Sequence, residues 1–180
     1  MNGKMENGID ELHRGKFLRL VRDRHWEYVT RVNSSGAGFI AALTDAGEVV
    51  LVEQYRLPLH ARTIELPAGM IGDEDAFRDE SIEASTMREL EEETGFRGTH
   101  AEILMSGPVA AGMTSEMLHL VRIRGLQRVG AGGGVDGEDI TVHLVPLVQI
   151  DSWLREKGKA GLLIEPRIYA ALYFLQRDRG

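Results

Sequence analysis

Short runs of β-favouring apolar residues dominate the first part of the chain. Residues 17–21, 26–32 and 36–43 each read as strands. A fourth, 49–54, follows the turn-forming Asp45-Ala46-Gly47-Glu48, which reads as a hairpin connection. A short extended piece at 63–66 is closed by Pro67 and Gly69. The period then changes. Residues 82–93 show a helical pattern, with Ser81 suited to the N-cap and Glu83 to the positive end of the dipole. Gly95 suits the left-handed position just past the end. Strands are predicted near 101–105, 117–122 and 140–146, and the glycine-rich stretch 129–137 between the last two reads as a mobile loop. Two helices close the chain. Asp151 is placed to cap a short one ending at Gly158, and the second spans 166–176 with Ile168, Ala171, Leu172 and Leu175 on one face. Strands first, a helix mid-chain and helices last predict an α+β or layered αβα domain. Residues 1–13, polar and mixed, are expected to be loose.

Composition narrows the function classes. The chain has 180 residues and no cysteine, so disulfide, zinc-thiolate and thiol chemistry are excluded. No apolar run approaches the ~20 residues of a membrane span, and no signal-peptide pattern precedes Arg14. The expected setting is cytoplasmic, with no membrane partner. The 28 acidic residues outnumber 21 basic ones, giving a net charge of −7 that does not attract nucleic acid. The excess is local: residues 73–93 hold ten acids and two arginines. That is either a solvated helix face or a cation site.

Helical geometry bears on the choice. With Glu89 as origin, Glu92 and Glu93 fall about 60° and 40° to either side, so three carboxylates share one face. Met87, Leu90 and Thr94 point away and would dock the helix. Like charges at i,i+4 repel, so such a face asks for a partner. Magnesium, a hard cation, takes carboxylate oxygens and keeps positions open for phosphate oxygens. Arg88, four residues before Glu92, can pair with it. From the triad alone, a glutamate-rich surface helix stays open as the plainer alternative.

The wider motif decides. Arg88-Glu-Leu-Glu-Glu-Glu-Thr-Gly-Phe96 resembles the second half of the signature of the Nudix hydrolase family, and every defined position matches. Glu80 stands where the family has its earlier glutamate. One spacing departs: ten residues separate Gly69 from Glu80 where the family has five, which reads as an extended loop at 70–79. Val52-Glu-Gln-Tyr-Arg56, Glu65-Leu-Pro-Ala-Gly69 and Gly112-Met-Thr-Ser-Glu116 resemble segments of ADP-ribose pyrophosphatases and related nucleotide-sugar hydrolases. Ala111 replaces the proline usual before the last of these, and residues 131–140 are as similar to the GDP-mannose hydrolases. The two substrates stay open within the class, ADP-ribose favoured.

The resemblance implies a Nudix-type αβα sandwich with a mixed central sheet and N-terminal antiparallel strands. It implies a loose terminus at 1–13, N-terminal strands at 14–45 contributing to a homodimer, and a catalytic domain at 46–180. Glu89, Glu92 and Glu93, with the Ala68 carbonyl and Glu138, would hold Mg²⁺ (Mn²⁺ serving as well). Gly69, Glu80, Arg88 and Gly95 are structural in the motif, Glu80 pairing with Arg88. Asp136, Glu138 and Asp139 are the acids available on the late loop, where relatives place the general base. Glu92 is counted with Asp136 and Glu138 as catalytic. Arg56, Glu65 and Glu116 would bind a small nucleotide-sugar substrate. Phe17, Trp26 and Tyr28 are expected in the core rather than stacked on a base, and His143 is expected as a satisfied core residue. The rivals are hydrolysis of oxidised nucleoside triphosphates or capped RNA, and a non-catalytic nucleotide-sugar sensor.

Overall fold

The computed structural model describes residues 8–34, 36–72, 79–134, 137 and 139–177. Among these, β1 (Asp10–Arg14), β2 (Leu18–Asp23) and β3 (Trp26–Arg31) form an antiparallel sheet of their own. β4 (Gly36–Ala42), β5 (Glu48–Arg56), β6 (Ala61–Glu65) and β7 (Ala68–Ile71) lead to helix α1 (Ile82–Thr94). β8 (Phe96–Arg97), β9 (His100–Pro108), β10 (Met117–Arg124), β11 (Gln127–Arg128) and β12 (Thr141–Pro146) follow. Helix α2 (Ile150–Lys159), β13 (Leu163–Ile164) and helix α3 (Arg167–Arg177) end the described chain.

Two four-stranded mixed sheets, in the orders β7-β4-β10-β9 and β12-β5-β6-β13, make the centre. β4 pairs parallel with β10 and antiparallel with β7, and β13 runs parallel to β6. β4 is buried throughout, and its alternation divides the core in two. Ala37, Phe39 and Ala41 face a cluster with Ile150 and Leu154 of α2 and Ile168, Ala171, Leu172 and Leu175 of α3. Ile40 and Ala42 face a second cluster with Leu90 of α1. The result is the expected αβα sandwich: α1 lies on one side of the strands, α2 and α3 on the other.

α1 begins and ends where its caps predict. The Ser81 hydroxyl accepts from the Ala84 N–H at 3.2 Å, and Gly95 sits at φ 72°. Leu90 and Thr94 are fully buried, and Met87 packs on the same cluster. Glycines bring the helix close. A Cβ on Gly38 of β4 would overlap Cγ2 of Thr86, and one on Gly69 of β7 would overlap the Glu89 side chain.

Several expectations are corrected. Residues 10–13 belong to β1, which cross-strand charge pairing such as Arg22–Asp10 at 3.1 Å supports without an apolar alternation to betray it. β4, assigned to an N-terminal unit at 14–45, is the most buried strand of the central sheets. Met70 and Ile71 continue β7 rather than starting a loop, while 73–78 lie outside the described residues. Asp151 does not cap α2. The helix starts at Ile150, and Asp151 lies within its first turn. Phe17 and Trp26 are exposed at 66% and 53%, not in the core; Tyr28 is half-buried.

Candidate active site

The carboxylate face of α1 meets the turn ahead of β7. Glu93 is buried, and its Oε2 accepts the Ala68 N–H at 3.1 Å. Glu89 lies directly over Gly69, and a Cβ there would displace its side chain. Pro67 holds this turn to the central sheet, its carbonyl accepting from the Ile40 N–H at 2.9 Å. Arg88 organises the remaining acids. Its guanidinium lies 3.0 Å from a carboxylate oxygen of both Glu89 and Glu92, and 3.4 Å from Glu80. Burial works against its charge, but Glu89, Glu92 and Glu80 together outweigh that and hold it protonated.

The last turn of a helix leaves carbonyls without partners. Here the glycine-rich segment supplies them. Gly133 N–H donates to the Glu93 carbonyl at 2.8 Å and Gly134 N–H to that of Glu92 at 3.1 Å, while Val129 and Gly130 bond to Gly95. A Cβ on Gly132 would overlap the Thr94 backbone. The described part of this segment, expected as a mobile loop, is thus fastened to the residues that carry the carboxylates. Asp136 and Glu138 lie outside the described residues. Asp139 pairs with Arg62 at 2.7 Å, and Arg62 also bonds Glu53 at 2.7 Å. Glu53 further receives His143 at 3.0 Å, and the His143 ring packs edge-on against Trp153. Burial raises the Glu53 carboxyl, but His143, Arg62 and Lys157 outweigh it and bring it below the usual value.

A cleft of about 750 Å³ opens beside the Ala68–Gly69 turn. Arg31, Arg56 and Arg167 line it, each tied to a glutamate that also lines it. Arg56 donates to both oxygens of buried Glu65, at 2.8 and 2.5 Å, and the Thr63 hydroxyl donates to the same carboxylate. Burial pushes the Glu65 carboxyl up, yet the Arg56 and Thr63 hydrogen bonds and the charges of Arg56 and Arg167 prevail and lower it. Arg31 of β3 donates to Glu116 at 2.5 Å, so the N-terminal sheet fixes the loop before β10. That link is reinforced by the Val29 N–H, which donates to the Met113 carbonyl at 2.9 Å. Arg167 donates to Glu165 and lies over the Phe39 ring, 3.8 Å from its centroid.

The structure therefore brings Arg56, Glu65 and Glu116 into one cleft, with Ala68 and Gly69 at its edge. Sequence patterns did not single out Arg31, Phe39, Thr63, Glu165 or Arg167. Arg167 showed only as the start of a helix after Pro166, and Arg31 only as a polar position in a strand. Among the described residues, no three acidic or histidine side chains close into a ready-made cation cage.

A NUDIX domain pattern matches residues 34–162, most of the chain. The chain belongs to the NUDIX family. The match begins within the N-terminal strand segment, taking in β4. Among relatives of this NUDIX chain is the methanol dehydrogenase activator of Bacillus methanolicus, 34% identical over 147 residues, 81% of this chain and 74% of that one. The ADP-ribose pyrophosphatase of Mycobacterium tuberculosis is 31% identical over 147 residues, 78% of this chain and 69% of its own. In some other matched relatives the match spans less than half of their length. A solved structure described as an ADP compounds hydrolase shares the fold, with a TM-score of 0.70 at 20% identity, covering 96% of this chain and 91% of that one. ADP-ribose pyrophosphatases are thus among the relatives of this NUDIX chain.

The buried Glu65–Arg56 pair makes a pH prediction. A carboxyl lowered in the folded state contributes stability that is present above pH 4.5 and lost as pH falls through its folded value. Glu65→Gln is expected to cost about 1–3 kcal/mol at pH 7. Urea unfolding between pH 7 and 3 should then show a shallower loss below pH 4.5 in the variant. Equal acid slopes would remove this pair from the account.

Proposed function

We propose that this NUDIX enzyme hydrolyses the pyrophosphate of a nucleoside diphosphate sugar, ADP-ribose favoured, giving a nucleoside monophosphate and a sugar phosphate. The observation that carries this is the meeting of an acidic helix face with an arginine-lined cleft at one glycine turn. The donors fit Mg²⁺, with Mn²⁺ as substitute: all are hard oxygens, four carboxylates and one backbone carbonyl, and magnesium is held by one or two carboxylates together with water and substrate phosphates. Glu89, Glu92 and Glu93, with the Ala68 carbonyl and Glu138, would hold the ion. When bound, it supplies charge neutralisation at the pyrophosphate and a more acidic water.

The chain's own groups do the rest. Arg88 holds the rotamers of Glu89 and Glu92. Glu65 aims the Arg56 guanidinium, which meets a phosphate oxygen or the ribose. Glu116, set by Arg31, contacts the terminal sugar or assists the metal residues. Asp136 or Glu138 takes a proton from the attacking water. Little covalent chemistry is needed, because positioning and charge neutralisation dominate displacement at phosphorus. GDP-mannose is the second substrate reading: Ala111 departs from the ADP-ribose pattern, and residues 131–140 are as similar to GDP-mannose hydrolases as to ADP-ribose enzymes. A non-catalytic sensor would bind a nucleotide sugar without turnover.

The test is phosphate release from a panel of nucleotide sugars with magnesium and a coupled phosphatase. Wild type should turn over ADP-ribose or GDP-mannose, and Glu93→Gln should lose about 100-fold or more. Wild-type binding without turnover would favour the sensor.

We also propose a homodimer through the N-terminal sheet, which leaves Phe17, Leu18, Leu20 and Trp26 partly or largely exposed. Sedimentation velocity should give twice the mass of one chain, and Trp26→Asp should shift the protein towards monomer. A wild type that sediments as a monomer at assay concentration would rule the dimer out.

A further inference from the structure

We infer that Glu165 and Arg167 form a hydroxyl-recognition pair in the cleft that selects which nucleoside diphosphate derivative is cleaved. This rests on the hydrolytic activity proposed above. Arg167 is the first residue of α3, and its guanidinium lies flat on Phe39 with the Nε–H given to Glu165. Among the described residues its terminal nitrogens meet no acceptor, although the residue lines the cleft. Glu165 is incomplete in the opposite sense: its second carboxylate oxygen is buried and meets no donor among the described residues. A buried charged oxygen left so carries the full cost of its desolvation, and such atoms call for a partner.

The main chain at Glu165 is fixed on both sides. The Glu165 N–H is bonded to the Ile64 carbonyl at 3.0 Å, and the Glu165 carbonyl accepts from Ile168 at 3.2 Å. The last side-chain torsion of glutamate is soft, so the carboxylate can turn its open oxygen into the cleft without moving the chain.

The chemistry of the pair selects its ligand. A phosphate would find Arg167 already neutralised and would be repelled by Glu165. A hydroxyl both donates and accepts, and so satisfies the open carboxylate oxygen and an Arg167 N–H together. Leu163, Ile164 and Pro166 line the cleft beside the pair and offer a hydroxyl no competing side-chain partner. The hydroxyl belongs either to the nucleoside ribose or to the terminal sugar.

Steady-state kinetics with three substrates separate these sources: the intact nucleotide sugar, its 2′,3′-dideoxynucleoside analogue, and an analogue lacking terminal-sugar hydroxyls. Glu165→Gln and Arg167→Lys should each raise KM for the intact substrate about ten- to hundredfold, with kcat within about threefold. Neither should further impair the analogue that lacks the recognised hydroxyl, and that arm names the source. If Glu165→Gln does not fold, as judged by circular dichroism, Arg167→Lys carries the same comparison. A KM within twofold of wild type, or equal impairment on all three substrates, overturns the pair while leaving the activity intact. A wild type that cleaves none of them overturns the activity and the pair together.

Discussion

The site depends on one steric constraint: α1 must lie against the strands at positions that carry no side chain. Gly38 makes room for Thr86 and Gly69 for Glu89. With any larger residue at 69, the Glu89 carboxylate is pushed off the turn from which Ala68 reaches Glu93. Tight packing of this kind does not yield by fractions of an ångström without cost, because protein interiors are filled close to crystal density. The same device recurs at the far end of the helix, where backbone of the 130–134 segment lies against Thr94 and caps the carbonyls of Glu92 and Glu93. The acidic face is thus held at both ends by main chain, leaving its side chains to chemistry.

Electrostatics then distribute the charge. In the cleft Arg31, Arg56 and Arg167 each face a glutamate, which orients each guanidinium without making the cleft strongly basic. On the helix the balance is reversed, with one arginine serving Glu80, Glu89 and Glu92. A dianionic pyrophosphate placed between these regions would find oriented donors on one side and a demand for cations on the other. The NUDIX signature and the cleft therefore describe two halves of one surface. The Arg31–Glu116 link adds the N-terminal sheet to it, so the strands that are expected to meet a second copy also bear on the substrate side.

Much of this was legible in the chain. Apolar alternation located β2 to β6, and the pairing of Ser81 with Gly95 located α1 almost to the residue. The motif around Arg88 named the family. What the patterns missed has physical reasons. β1 is supported by charged cross-strand pairs, which leave no apolar period. Glycine richness at 129–134 suggested freedom, yet these residues are bound because glycine alone lets their backbone approach the helix. Aromatic content suggested burial for Phe17 and Trp26, but their sheet stands apart from the core. Glu165 and Arg167 join the cleft through the β6–β13 pairing and the contact of Arg167 with Phe39, between residues more than 95 apart that no local pattern links.

The most direct test of the steric constraint is Mn²⁺ affinity, read by electron paramagnetic resonance, in Gly69→Ala beside Gly38→Ala. Both changes overpack the helix and should cost about 1–3 kcal/mol in urea unfolding. Gly69→Ala alone displaces a carboxylate, and its Mn²⁺ affinity should fall about 10- to 100-fold while Gly38→Ala keeps most of its own. Folded Gly69→Ala protein with wild-type Mn²⁺ affinity would show that the glycine turn does not position the acidic face.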